Sequence, residues 1–359
     1  MMPEPGAPQP APKRSMRLLV SSMSARGRGL RLGREVVDVL RAGGWEVEVK
    51  VTTQESDVEV DAAEYQGALL GAIGGDGYLT VAARGCMASG ATLVPFPGGR
   101  GNDLCRSLGI GPDPVKWAWR LAEASTEQVR SWVGPLDAME IVSTEGRQRV
   151  LGILSLGIDA TAASTANQSW LRSGPLAYAW GATAGYLGKF KPLHVKGFLE
   201  GRVDPGQLDP SQAEGDAGPE SLPLDLHAWL CSVSNTGWFG GGVNILPQSR
   251  TDDGLLEVVS VSGIGRLRVL PKLAKVLLLR QIDDPVISVE TATRVVLEEP
   301  AGLMTMADGD DVATLPLSIS VVPAALTVVR PGDVSVDASA VDTGSADATA
   351  VDVGKVEGK

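Results

Sequence analysis

Aromatic residues make up only 4% of the 359-residue chain, and histidine occurs twice, at His194 and His227. Two histidines leave little material for a His-ligated metal centre or a Ser-His-Asp triad. The three cysteines, Cys86, Cys105 and Cys231, are odd in number and lack disulfide or metal spacing. A reduced, cytoplasmic setting is expected. No apolar run reaches the roughly 18 residues of a membrane span. The opening "MMPEPGAPQPAPKRS" has no apolar core, so a secretory signal is not expected. A basic excess is missing as well: 32 Lys and Arg stand against 43 Asp and Glu, for a net charge of −11. The acids gather in 200–222 and 331–359, which leaves the remaining body near neutral. This charge argues against a nucleic-acid partner but leaves contact with a membrane surface open.

What the chain has in abundance is glycine, 44 residues, well above the usual ~7%. Length suggests two domains with an ample core. Residues 1–14 are Pro-rich and expected to be disordered. From 15 to 134, strand-like runs ("MRLLVSS", "WEVEVKV", "GALLGAI", "ATLVPFP") alternate with helical patterns, including about Tyr78–Ser89 and "GNDLCRSLGI". Such alternation implies crossovers and a mostly parallel sheet. From 135 to 330 the texture turns β-rich. "LDAMEIVS", "RVLGILSLGI", "LDLHAWLCSVS", "GLLEVVSVSG", "PVISVET", "TRVVLEE" and "LPLSISVV" read as strands. Helices at about 175–190 and 264–280 interrupt them. The segment 200–222 reads as a mobile loop, and 331–359 as a disordered tail.

Two glycine-rich stretches close strands of the first half. They are Gly74-Gly75-Asp76-Gly77 and Pro97-Gly98-Gly99-Arg100-Gly101-Asn102-Asp103. Ligands of doubly wound sheets bind beyond the carboxyl ends of the strands. Glycine turns before helices expose main-chain N–H groups to anions and let the backbone approach closely. Each stretch alone is equally compatible with simple packing; two in adjacent units favour an anion site. Asp76 amid the glycines is a poor phosphate neighbour unless a metal or a donor hydroxyl intervenes, which points to Mg²⁺ or a ribose.

These motifs resemble the catalytic family of diacylglycerol kinases, which includes bacterial soluble lipid kinases and sphingosine kinases. "GGDG" matches the family's GGDGT, with Tyr78 for Thr. "PGGRGNDL" matches P-x-G-T-G-N-D-[FL], with Arg100 for Thr. "LDAMEI", "SLGIDA", "SGPLAYAWGATAGYL", "VSNTGWFGGGVNILPQSRTDDGLLEVV" and "MADGDDV" follow in family order over about 16–330. The last resembles a DGE box, with Asp310 for Glu.

The resemblance implies an α/β N-terminal domain with a mostly parallel sheet, of the NAD kinase/diacylglycerol kinase kind. A C-terminal antiparallel β-sandwich domain follows, with nucleotide in the cleft between the two. It implies phosphoryl transfer from ATP, with Mg²⁺, to a lipid hydroxyl, diacylglycerol by default. Carried over, Gly74, Gly75, Asp76 and Gly77 line the nucleotide site. Gly99, Arg100, Gly101, Asn102 and Asp103 form a second phosphate loop, and "SSMSARGRG", with Arg26, resembles a first phosphate segment. Asp308 becomes the general base, and Asp310 or Asp311 orients it or binds metal through water. Asp253 and the Leu255 carbonyl stand at a second metal position, although Arg250 replaces the acid expected three residues earlier. A plain turn opening a strand explains the same residues. Arg100 is expected to replace the lost threonine hydroxyl with a guanidinium contact to phosphate.

A lipid substrate met peripherally at a membrane surface is the expected partner, and a homodimer stays open. The basic, leucine-rich "GRLRVLPKLAKVLLLRQ" suits an anionic bilayer or plain core packing. Trp170, Trp180 and Trp238 suit a lipid entrance or a core. Competing readings are an NAD kinase, a kinase for a sphingoid or other lipid alcohol, and a non-catalytic lipid- or nucleotide-binding regulator.

Overall fold

The computed structural model describes residues 14–22, 28–99, 101–157, 191–203, 221–239, 243–265, 268–269, 272 and 284–332. Several expectations lie outside these residues: Arg26, Arg100, Trp170, Trp180, the helix at 175–190, most of the basic segment 265–281, most of the 200–222 loop, and both chain ends. No helix among the described residues is long and apolar enough to cross a membrane.

The first half runs β1 (Arg14–Ser21), α1 (Arg28–Ala42), β2 (Trp45–Thr52), α2 (Glu55–Ala63), β3 (Leu69–Gly74), α3 (Asp76–Ser89), β4 (Thr92–Pro97), α4 (Asp103–Ser107), α5 (Pro114–Glu123) and α6 (Thr126–Ser131). Its strands lie in the order β4-β3-β1-β2, all parallel. The inner strands are nearly continuous apolar runs because both faces are covered. Leu18, Leu19, Leu70, Ile73, Leu93 and Phe96 are fully buried. β2 alternates instead because it is the edge: Trp45 and Val47 are buried, Glu46 and Glu48 exposed.

Two helices missing from the sequence reading carry clear start signals. Asp113 accepts from the Val115 and Lys116 N–H groups, with Pro114 in the first turn of α5. Ser125 and Gln128 form a capping box on α6. α3 also begins two residues earlier than expected, so Asp76 and Gly77 belong to its first turn. α4 is a short turn of helix rather than a full one.

The second half is built from antiparallel pairs. It contains β5 (Val133–Ser143), β6 (Gly146–Val150), β7 (Ile153–Gly157), β8 (Leu193–Glu200), β9 (Leu222–Ser234), β10 (Trp238–Phe239), β11 (Val243–Asn244), β12 (Leu256–Ser262), β13 (Ile287–Ala292), β14 (Arg294–Glu299), β15 (Met304–Ala307), β16 (Asp310–Thr314) and β17 (Leu317–Val329). β8 has no counterpart in the sequence reading. The run read as one strand, "RVLGILSLGI", is two, β6 and β7, broken at Leu151-Gly152.

The path β16-β15-β7-β9-β8-β14-β17-β4-β3-β1-β2 forms one continuous sheet. β17 makes the join. Its first part pairs with β14, and its end meets β4 in parallel at Val328 and Leu93. Leu326, Val328 and Val329 thereby enter the core of the first half. Each fully buried side chain of this kind stabilises by about 1.5–3 kcal/mol, so the last strand ties the two halves together. The β-rich half has its own core around Met139, Val195, Leu256, Val295 and Ile319.

Candidate active site

β3 and β4 end in register, Gly74 beside Pro97, so both glycine turns leave the sheet side by side. The Gly98 N–H donates to the Gly74 carbonyl at 2.8 Å. A Cβ on Gly99 would collide with the Gly75 Cα. The two turns thus lie in backbone contact, a closeness only glycine permits. Asn102 closes the second turn from a left-handed conformation, φ 55°. Its Oδ1 accepts from the Gly99 N–H at 2.8 Å and its Nδ2 donates to the Gly99 carbonyl at 3.2 Å. Arg106 braces the same turn by donating to the Gly101 carbonyl at 3.1 Å, with its guanidinium over Trp238.

Asp76 begins α3, whose cap, Gly75, supplies no side-chain acceptor. The N–H groups of that first turn make a natural anion receptor. The Asp76 Oδ1 accepts from the Leu104 N–H at 3.1 Å, which fastens α3 to α4. A Cβ on Gly101 would lie 3.0 Å from Asp76 Oδ2 and 3.3 Å from Asp103 Oδ2, so both carboxylates flank one bare backbone position.

The other half reaches this place through the turn between β15 and β16. Asp308 and Gly309 both take positive φ there, 49° and 99°. That conformation swings the Asp308 side chain into the break between β6 and β7. Its Oδ1 accepts from the Ile153 N–H at 3.0 Å. Its Oδ2 accepts from the Leu151 and Gly152 N–H groups at 3.1 and 3.3 Å. Gly152 admits the carboxylate because a Cβ there would overlap Asp308 Oδ1. The Thr80 hydroxyl, one turn into α3, donates to Asp308 Oδ2 at 2.6 Å. Asp310 follows: a Cβ on Gly77 would lie 2.8 Å from its Oδ2. Burial first, and the nearby Asp308 charge in addition, push the Asp76 carboxyl up to about 6; the Leu104 amide works the other way.

Asp253 and Leu255 lie in a turn of their own, in a different environment from Asp310. Asp253 Oδ1 accepts from the Leu255 N–H at 3.1 Å within its own turn. Asp137 holds that turn by accepting from the Gly254 and Ala324 N–H groups, each at 2.7 Å. Arg250 and Arg330 both donate to Asp252, at 3.2 and 2.7 Å. Against the burial that would raise it, these guanidiniums hold Asp252 below the usual carboxylate range. This is the turn-opening arrangement that the sequence also allowed. Buried Asn235 links the two environments, donating to the Asp137 and Leu151 carbonyls at 3.0 and 3.2 Å.

Among the described residues no three His, Cys, Asp or Glu side chains converge as a metal-binding group. Mg²⁺ commonly uses only one or two carboxylates and completes its shell with phosphate and water. Asp76 and Asp103, hard oxygen donors on either side of Gly101, fit that role.

Of the expected site residues, Gly74, Gly75, Asp76, Gly77, Gly99, Gly101, Asn102, Asp103, Asp308 and Asp310 come together at the join of the two halves. Thr80, Asn235, Arg106 and the 151–153 amides were not among them. For Thr80 the signal was its spacing, four residues after Asp76 and therefore on the same helix face.

Residues 15–133 match the diacylglycerol kinase catalytic domain, and residues 152–330 match the YegS C-terminal NAD kinase beta sandwich-like domain. A diacylglycerol kinase of Mycobacterium tuberculosis is 28% identical over 259 residues, 72% of this chain and 75% of its own. A Xanthomonas campestris protein named "Probable lipid kinase YegS-like" is 27% identical over 259 residues, 69% of this chain and 74% of its own. The crystal structure of a diacylglycerol kinase from Bacillus anthracis superposes with a TM-score of 0.63 at 17% identity. It covers 90% of this chain and 98% of that one, a likeness of fold.

Proposed function

Since the chain belongs to the diacylglycerol kinase catalytic family, we propose that it transfers the γ-phosphate of ATP to a lipid hydroxyl, with diacylglycerol as acceptor and phosphatidic acid as product. The observation that carries this reading is the meeting of Asp308 with Thr80. A carboxylate of the β-rich half is seated on the helix whose N-terminus opens between the glycine turns.

Phosphoryl transfer asks the protein for position and charge more than for covalent chemistry. The Gly74–Gly77 and Gly99–Asn102 turns offer main chain to the phosphates, and the α3 N-terminus favours their negative charge. Asp76 and Asp103 would hold Mg²⁺, which neutralises charge building on the phosphates when bound. Asp308 takes the proton of the lipid hydroxyl through Oδ1, the oxygen with a single hydrogen bond among the described residues. Oδ2, held by three donors, keeps the group oriented.

The test is a panel of lipid alcohols incubated with labelled ATP and Mg²⁺. Labelled phosphatidic acid from diacylglycerol, exceeding the product from sphingoid bases, supports the reading. Label in another lipid alcohol reassigns the acceptor, and no labelled lipid from any of them removes the reading.

A further inference from the structure

The strand order β4-β3-β1-β2 puts β1 between β3 and β2. The chain leaves β1 for β2 on one side and returns to β3 on the other, so the order reverses at β1. Doubly wound sheets take their ligands in the crevice at such a reversal, beyond the carboxyl ends of the strands. The glycine turns after β3 and β4 stand on one side of it. Ser22, the first residue after β1, opens the segment on the other.

Tyr78 connects these strand ends. It is the third residue of α3, it is buried, and it stands where the family motif has threonine. A Cβ on Gly74 would overlap its ring, so the ring packs against the end of β3. Its hydroxyl meets the Thr52 hydroxyl, at the end of β2, at 2.8 Å. The Thr52 carbonyl in turn accepts from the Ser22 N–H at 3.1 Å and from the Ser22 hydroxyl at 2.9 Å. The run Gly74–Tyr78–Thr52–Ser22 thus passes from β3 across to β2 and back to the end of β1. A threonine hydroxyl, attached at Cβ, is too short for that span. Burial first, and the Asp61 charge in addition, push the phenol up to about 12, while the Thr52 hydroxyl works the other way. The group is therefore a neutral donor near neutral pH.

α3 separates this contact from the one at Thr80. Two steps along a helix turn through about 200°, so the two side chains point to opposite sides. Tyr78 faces Thr52 and the strand ends, and Thr80 faces Asp308.

We infer that Tyr78 is a positioning residue for the nucleotide. Through Thr52 it spaces the end of β1, at Ser22, from the Gly74–Gly77 turn, and so sets nucleotide affinity without touching the ligand or the reacting atoms. This rests on the reading that ATP phosphates occupy the glycine turns. Because Thr80 alone meets the acid, loss of the Tyr78 hydroxyl acts on binding and spares the phosphoryl-transfer step.

Calorimetric titration of the full chain with ATP, beside steady-state kinetics and thermal melting, tests this. Tyr78→Phe keeps the ring and removes the hydroxyl. Thr52→Val keeps the shape and removes its partner. Each is expected to raise the ATP dissociation constant about fivefold, the worth of one hydrogen bond, with kcat within about twofold of wild type. The double variant is expected to bind no more weakly than either single one, because both break the same link. Thr52→Ser keeps the hydroxyl and is expected to bind ATP as the wild type does. If Tyr78→Phe fails to fold, Thr52→Val against Thr52→Ser decides by the same measurement. Wild-type affinity in the folded hydroxyl-deleted variants, additive losses in the double variant, or a fall in kcat at unchanged affinity overturns the inference and leaves the kinase reading standing. A wild-type chain that binds no ATP removes both.

Discussion

The Thr80 hydroxyl and the Asp308 carboxylate meet at 2.6 Å although 228 positions separate them in the chain. Through this bond a residue of the parallel-sheet half fixes the orientation of an acid from the β-rich half. Thr80→Val removes the donor and keeps the shape. The expected cost is about 1.5–3 kcal/mol of stability, typical of a hydrogen bond to a charged partner, with a fall in turnover larger than any change in ATP affinity. Thr80→Ser should restore most of both. Urea denaturation and steady-state kinetics on the three proteins check this; equal turnover in Thr80→Val and wild type rejects a positioning role.

The glycine turns predict a contrast between neighbours. A Cβ on Gly99 meets the backbone of Gly75, whereas a Cβ on Gly75 has 3.4 Å to the nearest atom, Gly99 Cα. Gly99→Ala is therefore expected to destabilise by about 1–3 kcal/mol, the usual cost of overpacking, and to weaken ATP binding. Gly75→Ala should melt within a few degrees of wild type. Thermal melting and nucleotide titration distinguish the two, and equal behaviour contradicts the close approach of the turns.

Asp76 gives a pH dependence whose sign follows from its surroundings. Its folded pKa of about 6 stands above the ordinary 3.8, so between those values the native state binds more protons than the unfolded chain. Stability from this group is greatest at low pH and falls as pH rises through about 4 to 6. Asp76→Asn should flatten that window and exceed the wild type in stability above about pH 6. Denaturation at several pH values checks the sign; a variant less stable than wild type at pH 7 contradicts it.

Glu257, buried on β12, behaves in the same direction at higher pH. Burial pushes it up to about 8. Among the described residues its Oε2 has no hydrogen-bond partner. Glu257→Gln is expected to gain stability over the wild type as pH rises through about 5 to 8. Parallel pH curves for the two proteins would rule this out.

The first half of the fold was legible because each strand, glycine turn and helix is local. "ALLGAIGGDGYL" contains the apolar run, the turn and the helix start together. α5 and α6 were also legible in principle, through Asp113-Pro114 and the Ser125–Gln128 capping pair. α2 was not, because "ESDVEVDAA" carries no sustained apolar stripe. The break at Leu151-Gly152 could not be read from "RVLGILSLGI", since its cause is the carboxylate of Asp308, more than 150 positions away. Asp308 itself was picked out by motif, but its partners were not. Four donors on one side chain are a property of the assembled halves. Asp253 and Leu255 read in sequence either as ligands or as a plain turn, and the Leu255 N–H does bond Asp253 Oδ1 within such a turn.

The most direct test of the kinase account is to separate chemistry from nucleotide binding at Asp308. With diacylglycerol and Mg²⁺-ATP, Asp308→Asn is expected to lower kcat by about a hundredfold or more, the usual contribution of a positioned base, while the ATP dissociation constant stays within a few-fold of wild type. A folded Asp308→Asn protein that makes phosphatidic acid at the wild-type rate would contradict the account.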